Sequence, residues 1–248
     1  MRNSPIDRSR RAVLGTIAGG AGALMLGAAL WPARALAQSK TPIGIIGSGN
    51  IGGTIGGLWV KAGHPVMFSS RHPEELKDLA GKLGPLAKTG TVAQAIEFGQ
   101  VIFIAVPYGA VPQVGKDNAA ALKGKIVLDA CNAVAARDGA IADEVEQNGI
   151  GVTSQKYLAG TRLVRAFNTM SYRTFASEAN RAAPRLAIPI AGDDAEAVKV
   201  ASALVGDAGF DAVVVGKLAD ARRFQRGNPG YGQPVSATEL RQKLNLTQ

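Results

Sequence analysis

Residues 42–71, PIGIIGSGNIGGTIGGLWVKAGHPVMFSSR, compress a strand, a glycine turn, a helix and a second strand into one stretch, an order and spacing that few folds accommodate. Ile43, Ile45 and Ile46 form a β-branched run suited to a strand buried on both faces. Gly47-Ser48-Gly49-Asn50-Ile51-Gly52 then fits G-x-G-x-x-G at the strand-to-helix junction. Gly47 allows the tight turn, Gly49 lets the backbone approach a pyrophosphate, and Gly52 lets helix and strand pack closely, with the anion on the helix N-terminus. A motif of this kind is weak alone in a chain with 31 glycines. Its context supplies the rest: Ile51, Ile55 and Leu58 recur at helical spacing, Gly63 stops the helix, and residues 65–68 read as the next strand. The stretch implies a bound dinucleotide.

Which dinucleotide follows from the end of that second strand. An NAD site places an acidic residue there, about 20 residues after the first glycine, to accept from the ribose 2′-hydroxyl. This chain has Ser69-Ser70-Arg71 instead. No carboxylate repels a 2′-phosphate, the two serines can donate hydrogen bonds, and Arg71 can make a charge-assisted contact, so the expected cofactor is NADP. Glu74 and Glu75 follow Pro73 and read as the negative N-terminal turn of a helix.

Ahead of this fold, residues 1–37 read as a separate signal. Ser9-Arg10-Arg11-Ala12-Val13-Leu14 resembles a twin-arginine export motif, an uncharged Ala/Gly/Leu-rich run occupies 12–31, and Ala35-Leu36-Ala37 supplies a small-x-small cleavage pattern. The expectation is a periplasmic or otherwise exported protein cleaved before Gln38, with an uncleaved membrane anchor as the alternative. The twin-arginine route carries folded proteins, so the cofactor is expected to load before export.

About 210 residues then remain, enough for one good core or a domain with an extension. The net charge of +9 includes five arginines and one aspartate of the first 37 residues, leaving +5 spread without basic blocks or interleaved aromatics. Nucleic-acid binding is not indicated. Cys131 is the only cysteine, which excludes an intramolecular disulfide and suits a buried small hydrophobe. With only His64 and His72 beside it, no metal-ligand set is expected.

Downstream, apolar strand runs alternate with amphipathic helices. Residues 101–106, 126–128 and 163–167 read as strands, Thr91 with Gln94 as a capping box, Asp193 with Glu196 as the cap of another helix, and 237–244 as a short closing helix after the Gly/Pro-rich segment 224–234. The fold class is α/β: a doubly wound, mostly parallel sheet of Rossmann type with a small C-terminal α/β extension. The expected divisions are an export signal at 1–37, an NADP-binding domain at 38–170, and an extension at 171–248 completing the sheet and the substrate cleft.

Ligands of such sheets lie outside the carboxyl ends of the strands. Besides 47–50 and 69–71, the rule selects 106–109, 129–132 and 168–170. Pro107 rigidifies its turn, Tyr108 offers a ring to a nicotinamide or instead to the core, and Asn132 and Asn168 can hydrogen-bond a carboxamide or simply satisfy turns.

Taken in order, IGIIGSGNIGG, SSR, IAVPYGAV, IVLDACNAV, VRAFNTM and AGDDAEA resemble the NADPH-dependent deazaflavin (coenzyme F-420) reductases, a family whose NADP-binding domain is shared with metalloreductases. The resemblance implies that Ser48, Asn50 and Ile51 line the pyrophosphate turn and that Ser70 and Arg71 hold the 2′-phosphate. It also implies that Pro107 and Tyr108 lie by the nicotinamide and Asn132 and Asn168 near the hydride-transfer cleft. Members often carry a second basic residue after the arginine, where this chain has His72. The function so implied is an NADP-dependent oxidoreductase transferring hydride between NADP(H) and a deazaflavin, flavin or related acceptor. No catalytic acid or base is assigned, because hydride transfer needs mainly proximity and orientation. Arg222, Arg223 and Arg226 read as a solvated charge run that can alternatively meet an anionic substrate. A non-enzymatic NADP-binding protein is the alternative. A hydroxyacid or imino acid reductase ranks last, since only 79 residues follow Thr169. Expected partners are a small-molecule redox acceptor and, as an assembly, a second copy in a homodimer, with membrane contact only through the export signal.

Overall fold

Short runs of β-branched and other apolar residues become strands because helices can cover both of their faces. The computed structural model describes residues 40–246, so the expected export signal lies outside the described residues. Its strands are β1 (Ile43–Ile46), β2 (Val66–Ser69), β3 (Ala87–Gly90), β4 (Val101–Ile104), β5 (Ile126–Asp129), β6 (Arg162–Arg165), β7 (Ala187–Gly192) and β8 (Asp211–Gly216). They form one sheet in the order β3-β2-β1-β4-β5-β6-β7-β8. Pairing is parallel from β3 through β6, antiparallel between β6 and β7, and parallel between β7 and β8. Residues after 170 thus add two strands to the sheet that binds the glycine turn. The first six strands follow the doubly wound dinucleotide-binding order.

Every side chain of β1, β4 and β7 is buried, which is why these strands read as unbroken apolar runs. Strand β3, AKTG, has no such run. It is an edge strand with a polar outer border, and sequence periodicity gives no sign of it.

Two cores flank the sheet. On one face, α1 (Asn50–Lys61) packs with the helices Tyr172–Glu178 and Ala195–Asp207. Trp59 of α1 meets Phe103 and Phe167 edge to face at 5.1 and 5.7 Å between centroids, and its indole N–H donates to the Leu204 carbonyl at 2.8 Å. Phe167 also meets Phe175 and Phe210. It adopts φ +59°, a conformation that costs a bulky residue about 1–3 kcal/mol. Burial of its ring among four aromatic partners is of similar size or larger. The opposite face is filled by Ile96, Val111, Ile150, Leu218 and Phe224 from helices and turns on that side. Among the described residues no helix is long and apolar enough to cross a membrane.

The capping box of Thr91 and Gln94 forms as expected, with bonds of 2.8 and 3.2 Å. The cap of helix Ala195–Asp207 is one residue later than expected. Asp194 accepts from the Ala197 amide at 2.8 Å and holds the Arg162 guanidinium by bonds of 2.9 and 2.7 Å. Asp193 instead accepts from the Leu218 amide at 3.0 Å, tying the start of the helix to the turn after β8.

The Arg162 contact, helped by the Ala197 amide, lowers the Asp194 carboxyl to about 2 from an ordinary 3.8. A depressed carboxyl pKa stabilises the fold above its unfolded value, and that contribution disappears as pH falls through the folded one. Asp194→Asn is therefore expected to lower Tm at pH 7 and to lose less on acidification from pH 3.8 to about 2 than the parent does. Thermal denaturation followed across that window measures the difference.

Candidate functional site

The turn after β1 is shaped by contacts that leave no room for side chains. Gly47 has φ +93°, and a Cβ there would lie 2.6 Å from the Ala105 carbonyl oxygen. A Cβ on Gly52 would lie 2.0 Å from the Gly47 oxygen, so α1 can meet the turn only through glycine. Gly49 differs: its φ is −74° and a Cβ would meet nothing within 4 Å. Its surroundings are open toward the cleft. As N-cap of α1 it supplies no side-chain bond, and the first turn carries no acidic residue. The amides of that turn are free for an anion, which fits a pyrophosphate.

At the end of β2 the structure separates the two serines. Ser69 is fully buried. Its hydroxyl donates to the Ile45 carbonyl at 2.5 Å, while its own carbonyl accepts from Gly47 N–H and Ser48 N–H at 3.2 Å and from the Ser48 hydroxyl at 3.1 Å. Ser69 therefore locks the glycine turn onto β2 and has no donor to offer a 2′-phosphate, contrary to the sequence expectation. Ser70 accepts from the His72 amide at 3.0 Å, which leaves its O–H available. Ser70 and exposed Arg71 line a cavity of about 420 Å³ together with the glycine turn and Val92, Val106 and Pro107. Glu74 lies 3.3 Å from the His72 imidazole, both exposed. Arg71 has no ion-pair partner among the described residues.

A second cavity of about 450 Å³ shares Ala105, Val106 and Pro107 with the first and continues the cleft past Asn50 and Ile51 to Asn132. Its floor rests on a buried ion pair. Asp129 at the end of β5 and Arg165 at the end of β6 are aligned neighbours, both without solvent exposure. The Cys131 amide donates to Asp129 at 2.8 Å and Arg165 donates to the Cys131 carbonyl at 2.7 Å. Burial, reinforced by Asp129, pushes the Cys131 thiol well above its ordinary pKa, so it is no nucleophile at neutral pH. Asn132 donates to the Asn168 carbonyl at 2.6 Å and accepts from its side-chain amide at 3.3 Å. The two asparagines are brought together, but only Asn132 lines the cleft, while Asn168, expected beside it there, is nearly fully buried beneath.

Tyr108 does not reach the cleft. Its ring is fully buried and its hydroxyl pairs with that of Ser154 at 3.0 Å. Burial first, and then Asp129, push the phenol well up. The reason is local: residues 108–110 form a helical turn after Pro107 that directs the tyrosine into the core. Pro107 itself stays on the cleft wall.

Arg137, Asp138 and Tyr231 carried no sequence signal. Asp138 accepts from the amides of Gly109 and Val134 at 3.1 and 2.8 Å and from Arg137 at 2.9 and 2.8 Å, joining the loops after β4 and β5. The Arg137 contact leads the effects that lower its carboxyl pKa. Arg137 also donates to the Asn132 carbonyl at 2.7 Å. From the Gly/Pro-rich segment, Tyr231 and Arg226 line the Asn132 end of the cleft. Arg222 instead donates to the Glu146 and Gln147 carbonyls at 2.9 and 2.7 Å.

Fold and cleft together define a dinucleotide-binding protein of the Rossmann class. Residues 42–133 match the family described as NADP oxidoreductase, coenzyme F420-dependent. That match runs from β1 to the loop after β5, and the cofactor of the matched domain is NADP. It is 29% identical over 190 residues to the metalloreductase STEAP3 of Rattus norvegicus, covering 74% of this chain and 35% of that one, so it spans about a third of that relative's length. A solved protein of Sinorhizobium meliloti, SMa0349, superposes with a TM-score of 0.67 at 24% identity, over 79% of this chain and 95% of that one. A solved protein of Arthrobacter sp. FB24, assigned as an F420-dependent NADP reductase, gives 0.62 at 23% identity, over 73% and 87%. At these identities the two structures speak to the fold alone.

The glycines separate structure from binding. Gly52→Ala is expected to cost both stability and nucleotide affinity, because α1 must move. Gly49→Ala should change stability by less than about 1 kcal/mol, since its φ is compatible and space is open. Its NADPH affinity should nonetheless fall by about tenfold or more where the backbone must approach the pyrophosphate. Thermal melts beside NADPH fluorescence titrations check both, and unchanged affinity in Gly49→Ala would reduce the turn to a structural feature.

Proposed function

We propose that this protein is an oxidoreductase that moves hydride between NADP(H) and a deazaflavin, a flavin or a related acceptor. The observation that carries the reading is the uncapped, acid-free N-terminus of α1, which opens on one continuous cleft between Ser70–Arg71 and Asn132. The first-turn amides at Asn50 and Ile51 would hold the pyrophosphate, whereas both Ser48 donors are spent on the Ser69 carbonyl, so Ser48 shapes the turn instead. Ser70 and Arg71 would hold the 2′-phosphate, while Pro107 and Asn132 would bound the nicotinamide end. When bound, NADPH supplies a hydride from its nicotinamide ring. The chain's own part is to orient that ring against the cleft wall and exclude water, since Tyr108 and Cys131 are buried and protonated at neutral pH.

The burial of the Tyr108 and Cys131 side chains favours the second reading, a protein that keeps NADP as a structural or sensing ligand. Stopped-flow absorbance with NADPH and a panel of flavins, deazaflavins and quinones distinguishes them: oxidation by at least one acceptor is expected, and tight retention without turnover supports the alternative. A hydroxyacid or imino acid reductase stays last, because residues after Thr169 build β7 and β8 in the same sheet.

The export motif supports placement outside the cytoplasm, with NADP loaded beforehand. The expected outcome is a mature N-terminus at Gln38 in periplasmic protein, checked by N-terminal sequencing and native mass spectrometry, which also reports bound nucleotide and whether the protein is a homodimer.

Arg71→Ala should weaken NADPH by about 1.5 to 3 kcal/mol, the scale of one charged hydrogen-bonded contact, and leave NADH nearly unchanged. Equal losses for both nucleotides, measured by titration, would show that Arg71 does not read the 2′-phosphate.

A further inference from the structure

A guanidinium holds its N–H donors in one rigid plane, and at Arg137 most of them are spent. Nε and Nη2 donate side-on to the two carboxylate oxygens of Asp138 at 2.9 and 2.8 Å, and Nη2 donates again to the Asn132 carbonyl at 2.7 Å. The receiving carboxylate is itself anchored. The Asp138 side chain is only 2% exposed and also accepts from the Gly109 and Val134 amides, so the arginine is held by the loops after β4 and β5 together. A solvated surface arginine has no such seat. The Asp138 contact also raises the guanidinium above its ordinary pKa, which keeps the pair ionised.

What remains is Nη1, whose N–H donors have no partner among the described residues. Because the group is planar, Nη1 shares an edge with the Nη2 hydrogen that meets the Asn132 carbonyl. A free donor and a carbonyl with a second lone pair therefore lie side by side. Arg137 and Asn132 both line the cavity of about 450 Å³ that continues the cleft past Asn50 and Ile51. A primary carboxamide is the complement of this pair, since its carbonyl accepts from Nη1 and its N–H donates to the Asn132 carbonyl. A carboxylate would gain the first bond, lose the second, and meet both the Asn132 carbonyl dipole and the Asp138 charge as repulsion. A phosphate is no better served, because Asp138 already answers the charge of Arg137.

We propose that Arg137, together with the Asn132 carbonyl, reads the carboxamide of the nicotinamide and so fixes which face of the ring is turned to the cleft wall. The inference rests on reading this cavity as the nicotinamide end of an NADP site. It gives a residue without sequence signal the part expected of the Asn132 side chain, whose oxygen and one N–H are engaged with Asn168.

The test is calorimetric binding of three ligands: NADP⁺, its nicotinic acid analogue in which a carboxylate replaces the carboxamide, and 2′-phospho-ADP-ribose, which has no nicotinamide. NADP⁺ is expected to bind more tightly than the nicotinic acid analogue by about tenfold or more. Arg137→Met should weaken NADP⁺ by a similar factor and leave 2′-phospho-ADP-ribose within about twofold of the parent. Arg137→Lys should recover little of the loss, because it restores the charge without the planar edge. Equal binding of NADP⁺ and the nicotinic acid analogue, or NADP⁺ binding unaffected by Arg137→Met, would overturn the proposal. So would a parallel loss of 2′-phospho-ADP-ribose in Arg137→Met, which would assign the arginine to the pyrophosphate or to the fold, and so would full recovery in Arg137→Lys, which would assign it a charge effect. A parent protein that binds 2′-phospho-ADP-ribose and NADP⁺ not at all would overturn the cofactor reading itself, and this inference with it.

Discussion

Asp129 and Arg165 end adjacent parallel strands and face each other with no exposure to water. Two charges in the middle of a sheet are tolerable only together, since removing one partner of such a pair costs about 3–5 kcal/mol through the uncompensated charge left behind. Their value here is geometric. The carboxylate takes the Cys131 amide and the guanidinium takes the Cys131 carbonyl, so the chain leaving β5 has one permitted path. That path delivers Asn132 to the cleft. On the neighbouring strand Phe167 turns at φ +59° inside an aromatic cluster, and the turn brings Asn168 under Asn132. Asn168 in turn supports the C-terminal segment through the Phe224 carbonyl.

The dinucleotide half of the site was legible in the sequence because it is built from backbone. A turn that admits no Cβ must be glycine, and its spacing from the strand is fixed by the strand itself, so Gly47 and Gly52 announce the fold. The same logic made Arg71 visible, at a distance set by one helix and one strand. Side-chain direction was not legible. Ser69 and Ser70 are equivalent as letters, yet Ser69 is the last residue of β2, buried where its hydroxyl reaches the Ile45 carbonyl, while Ser70 lies past the strand end at the cleft. Tyr108 was open to either reading until the helical turn after Pro107 settled its direction. Strand β3 escaped notice because an edge strand need not be apolar, and Asp194 took the cap expected of Asp193 because the bonds to Arg162 and the Ala197 amide both favour the later residue.

The Asn132 end of the cleft was the least legible. Arg137, Asp138, Arg226 and Tyr231 converge from segments far apart in sequence, and none sits in a pattern that chemistry alone requires. Among the three arginines of residues 222–226, the structure gives each a different surrounding. Arg222 satisfies the last carbonyls of a helix, Arg226 lines the cleft, and Arg223 borders a separate surface hollow. A run that reads as one solvated stripe thus divides by the direction of the turn beneath it.

This division of labour has a consequence for selectivity. The dinucleotide side is held by backbone amides and glycine contacts, which few substitutions can retune without moving α1. The Asn132 end of the cleft is made of side chains on a loop whose backbone is fastened to Asn168, Thr169 and Ile150. Exchanging Arg226 or Tyr231 changes what the cleft offers without disturbing those fastenings, because neither side chain takes part in them. The fold thus separates a glycine-built turn, which cannot vary, from a cleft end whose character rests on a few exposed side chains.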